Sequence, residues 1–87
     1  MSTNPLDSRH PMMLDDPRPA VPADGQVEAF EFAVGTFWGS RRVRLVMYAD
    51  GTWIAHLFGD DPHDFFASRE QPTAAAAVGA LCRHLTV

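Results

Sequence analysis

Four side chains that can bind cations or move protons fall within one short stretch: Asp60, Asp61, His63 and Asp64. Carboxylates with an imidazole suit a divalent ion or a proton relay. Asp61-Pro62 has a competing role, because Asp caps helices and Pro suits the first helical position. The spacing fits no metal motif, so no metal is expected there. Cys82 and His84 lie two apart on a helical pattern and diverge by about 200°. They cannot share a metal, and Cys82 reads as semi-buried packing. Ser40 and Ser68 have no evident base partner, so no nucleophilic triad assembles. There is no glycine-rich phosphate loop. The expectation is a protein without cofactor that is not an enzyme.

A different chemistry is suggested by Arg41, Arg42 and Arg44, which stand among Phe37, Tyr48 and Trp53. Arginine interleaved with aromatics on a sheet can stack nucleobases. The same residue types dominate the binding energy of protein interfaces. The elements that carry them decide between these readings.

The strongest local signal is Asp50-Gly51 between two apolar stretches. It predicts a two-residue type I′ hairpin, with Tyr48 facing Trp53, Met47 facing Ile54, Leu45 facing His56 and Val43 facing Phe58. Gly39-Ser40 predicts a second two-residue turn, with Thr36 facing Val43, Val34 facing Leu45 and Phe32 facing Met47. Both registers place Phe30, Phe32, Val34, Val43, Leu45, Met47, Ile54 and Phe58 on one face. The prediction is a three-stranded antiparallel meander over about Glu28–Trp38, Arg41–Ala49 and Thr52–Phe58. His56 then points toward the core, where a lone histidine is expected to be hydrogen-bonded packing.

Gly59-Asp60-Asp61-Pro62 breaks the pattern, and Pro62–Ser68 is expected as a short helix pinned by Phe65 and Phe66. Pro72 punctuates again. From Thr73 to Leu85 the chain is Ala-rich and helix-favouring. Ala74, Ala77, Val78, Leu81 and Leu85 make one apolar stripe. The predicted class is α+β, a three-stranded antiparallel meander packed on one C-terminal helix. Five of the seven prolines fall within the first 22 residues, so residues 1–25 are expected as a disordered or extended arm. Residues 26–87 form a single β-β-β-α domain.

If the helix covers the first face, the other carries Phe37, Arg42, Arg44, Val46, Tyr48, Trp53 and Leu57. A sheet face exposed to water would normally be polar. This one is half apolar, and the chain has no second layer to spare for it. These seven residues are the candidate binding surface, for another protein or for a second copy in a homodimer.

The chain has 87 residues and a net charge of −4, and all seven basic residues are Arg. An acidic total argues against a general nucleic-acid binder, so nucleic acid is the weaker alternative. The residue usage suggests a high-GC genome, bacterial or phage. One cysteine excludes an internal disulfide and fits a reducing compartment. No apolar run approaches the roughly 20 residues of a membrane span, and the N-terminus lacks a secretory pattern. A cytoplasmic protein with no membrane contact is expected.

The opening Met1-Ser2-Thr3-Asn4-Pro5 resembles the start of MbtH-like proteins, whose Trp-containing core motifs have no counterpart here. Asp50-Gly51-Thr52-Trp53-Ile54-Ala55, followed by an Ala-rich helix after a Thr, resembles HicB-type antitoxin domains. That resemblance covers under half of the chain and implies a similar strand–strand–strand–helix layout. The functional expectation is a small acidic interaction module, plausibly an inhibitor, immunity or antitoxin-like protein.

Overall fold

The structure, a computed structural model, describes Leu6 and residues 10–37, 39–58 and 65–86. It is an α+β fold with an antiparallel sheet and one C-terminal helix. The sheet has five strands rather than the three expected: β1 (Arg18–Ala20), β2 (Gln26–Thr36), β3 (Gly39–Tyr48), β4 (Trp53–Phe58) and β5 (Phe66–Ala67), in that spatial order. The three long strands are the expected meander. The two additions are short edge strands.

Neither predicted turn keeps its register: the first is lengthened and the second is relocated. Tyr48 N–H donates to the Thr52 carbonyl, and Gly51 N–H donates to Tyr48. The β3–β4 loop therefore holds three residues, Ala49, Asp50 and Gly51, rather than two. Only Gly51 takes a positive φ, at 86°. A type I′ turn would force Asp50 into that region as well, whereas a type I turn closed by a glycine bulge spares it. Asp50 Oδ1 instead accepts from Thr52 N (3.0 Å) and Thr52 Oγ1 (2.6 Å). These bonds hold its carboxyl below the ordinary carboxylate range.

The pairs become Met47↔Trp53, Leu45↔Ala55 and Val43↔Leu57. That one-residue slip turns β4 over. Trp53, Ala55 and Leu57 enter the core, and Ile54, His56 and Phe58 leave it.

The β2–β3 connection falls between Thr36 and Gly39, which pair with each other, rather than at Gly39-Ser40. Phe32 pairs with Val43 and Phe30 with Leu45. Partners move by four residues, an even number, so the faces of β2 and β3 stay as expected. Trp38 itself lies outside the described residues.

Where it is described, the N-terminal arm joins the sheet, with turns at Pro11-Met12 and Asp24-Gly25. Residues Arg18–Ala20 pair with β2, and Met13 bridges to Val34. Leu14 N–H donates to Ala33 O at 2.8 Å, and Gly35 N–H to Met12 O at 2.9 Å. Leu6 and Met13 are buried in the main core cluster. A Pro19-bearing strand of three residues is a poor template for a further strand.

Residues 62–64 of the expected short helix lie outside the described residues. Phe66–Ala67 of that segment form β5, and Leu57 pairs with Phe66. Beyond β5 the buried Ser68 Oγ accepts from Ala55 N–H at 2.9 Å, so its hydroxyl serves the β4 backbone.

The helix α1 runs Ala74–Leu85 with Thr73 as its N-cap, accepting from Ala76 N–H. It packs chiefly on β4 and β3. Ala74, Ala77, Val78, Leu81 and Cys82 meet Phe30, Phe32, Val34, Val43, Leu45, Ala55 and Leu57. Burial pushes the Cys82 thiol up. No helix among the described residues is long and apolar enough to cross a membrane.

Candidate functional site

The sheet face turned away from α1 is not covered by any element of the described residues. Its side chains follow from the register as three cross-strand rows. The first is Ala20, Ala29, Val46 and Ile54. The second is Arg18, Glu31, Arg44, His56 and Ala67. The third is Ala33, Arg42 and Phe58. Polarity therefore changes along the strands, from apolar through charged to mixed.

The first row is buried at its centre. Val46 is 0% exposed and Ala29 is buried, although no helix crosses them. In the second row the Arg44 guanidinium reaches across β2. It donates to Glu31 Oε2 at 2.9 Å and to the Val21 carbonyl. Its stem must therefore lie along the sheet. Arg18 in the same row stands 3.6 Å from Asp15. The second row is thus largely internally paired.

His56 stands next to Arg44 in that row. Its desolvation in the sheet, with the adjacent Arg44 charge, holds its imidazole below the ordinary histidine value. Its ring stacks on Phe58 at 6.3 Å and leans on Phe65 at the same distance. Phe58 and Phe65 meet edge to face at 5.8 Å.

The third row is the exposed one. Phe58 is 40% and Phe65 57% exposed. On the opposite flank, Leu14 is 55% exposed, and its Cδ2 lies 3.3 Å from where a Cβ on Gly35 would stand. Gly35 shares the parity of Ala33, so Leu14 rests on this face. Between these two apolar flanks stands Arg42, exposed and without an ion pair among the described residues. The patch is a cation with a phenylalanine pair on one side and Leu14 with Ala33 on the other.

The seven residues expected to line this face divide. Arg42, Arg44, Val46 and Tyr48 are on it, and they all belong to β3. Trp53 and Leu57 are not. Leu57 is buried in the core, and Trp53 packs beside it, stacked on Phe30 at 6.3 Å. Both were misplaced by the one-residue slip at the β3–β4 loop. Phe37 is 90% exposed in the β2–β3 turn, at the same end of the sheet as Arg42. The residues missed are His56, Phe58, Phe65 and Leu14. His56 carried the available signal, since the expected register buried a histidine that the observed one brings to the surface.

Asp60, Asp61, His63 and Asp64 lie outside the described residues. Among the described residues no three His, Cys, Asp or Glu side chains gather as a metal site. No family model matches the chain, and neither a curated protein nor a solved structure matches it.

Proposed function

We propose that this protein is a non-enzymatic interaction module that docks a partner protein on its open sheet face. The observation that carries this is the patch around the third row: exposed Phe58 and Phe65 on one side of Arg42 and exposed Leu14 on the other. Contiguous apolar surface rimmed by polar groups is the usual mark of a protein-binding patch. Arginine and aromatic side chains supply most of the energy of such contacts. The small size and acidic balance suit an inhibitor, immunity or antitoxin-like role.

A nucleic-acid platform on the same face is less well supported. It relied on Arg42, Arg44, Tyr48 and Trp53. Trp53 faces the helix, and Arg44 is bonded to Glu31 and Val21.

The test is a double variant, Phe58→Ser with Phe65→Ser, set beside wild type. Complex formation with the native partner fraction, and mass by sedimentation, are measured for both. Loss of the complex with folding intact is expected. An unchanged complex would remove this face from the binding account.

A further inference from the structure

We propose that the segment docked on the open face is acidic and apolar-anchored: a carboxylate seated on Arg42, with apolar side chains reaching its two flanks. This rests on the reading of the face as a protein-docking surface and specifies the chemistry of what it takes.

Two of the three arginines on this face are already paired. Arg44 and Arg18 have Glu31 and Asp15 beside them. Arg42, two positions from Arg44 on the same face, is the exposed cation of the third row. Bringing an apolar partner down on Phe58 and Phe65 strips water from Arg42 as well. An arginine so desolvated opposes docking unless a carboxylate meets it, as any unpaired buried ion does. The guanidinium fork binds a carboxylate bidentately. The flanks fix where the apolar groups must be. Phe58 is the direct cross-strand neighbour of Arg42, and Ala33 is its neighbour on the other side. A chain crossing the strands here meets apolar, cationic and apolar surface in turn.

Two other occupants fit less well. A second copy joined face to face about a twofold axis through the Arg42 row would set Arg42 against its own mate, with like charges apposed. A nucleic acid would supply the anion, but as a continuous polyanion it meets the −4 chain with far more long-range repulsion than a segment seating one carboxylate.

The test selects binders from a random displayed peptide library on the full chain, on Arg42→Glu and on the Phe58→Ser, Phe65→Ser double variant. Wild type should enrich Asp or Glu beside aromatic or aliphatic residues. Arg42→Glu should lose that preference and favour Lys or Arg, and the double variant should enrich nothing. A consensus peptide should bind Arg42→Gln about tenfold more weakly than wild type, as for loss of one charge-assisted contact. Enrichment of apolar peptides indifferent to charge, lost in the double variant, would overturn the acidic partner and leave the docking face intact. Enrichment unaffected by all these variants would overturn both. Tighter binding of oligo(dT) than of any peptide, with a steep salt dependence, would replace the protein partner by nucleic acid.

Discussion

At the scale of single residues, Ser68 has a role that its position in a connecting segment conceals. Its hydroxyl accepts the Ala55 amide and donates to the Arg69 carbonyl at 3.1 Å. Replacing it by alanine leaves a buried N–H unpaired, which costs about 1–3 kcal/mol. Denaturant unfolding of Ser68→Ala should show that loss. His56 gives the fold a pH dependence. Its folded-state value is depressed by desolvation and by Arg44, so the unfolded chain takes up the proton first. Its contribution to stability is whole above the unfolded value of about 6.5 and is lost as pH falls through the lower folded one. Unfolding free energy should fall over that window in wild type and fall less in His56→Gln. A variant with the same slope as wild type would place the titration elsewhere. Cys82 is buried with its thiol pushed up. Thiol reagents should reach it only on unfolding, which mass spectrometry in native and denaturing buffer would report.

At the scale of elements, the β3–β4 loop decides what the protein presents to its surroundings. A three-residue loop puts Phe58 outside and Trp53 inside, and a two-residue loop would reverse them. Asp-Gly is compatible with both loop lengths, which is why the face of β4 could not be read from the turn alone. The composition of β4 held the answer. Trp53, Ala55 and Leu57 are all apolar, whereas the alternate set includes His56. The faces of β2 and β3 were legible because their alternation is long and because the turn error was even. The helix was legible because its stripe, its Thr73 cap and its length all agree. Strands β1 and β5 were not, since three and two residues are too few for periodicity and pair only through distant partners. Met13 shows the cost of missing such pairing. It is an arm residue buried in the main core, and Met13→Ala should destabilise by about 2–5 kcal/mol. Chemical denaturation would distinguish that from the near-zero effect expected of a free tail.

At the scale of the whole molecule, one layer of helix and arm covers one side of a five-stranded sheet, and the remaining side protects itself only in part. Val46 and Ala29 are buried. The end bearing Arg42, Phe58, Phe65 and Leu14 is not. A chain of this size has little stability to spare, so holding apolar rings at the surface calls for a function that uses them. The most direct test of that claim replaces Phe58, or Ala75 on the exposed side of the helix, by a photo-crosslinking residue, and irradiates each in native extract. The account predicts one discrete protein adduct from position 58 and none from position 75. Adducts from position 75 alone, or the same smear from both, would contradict it.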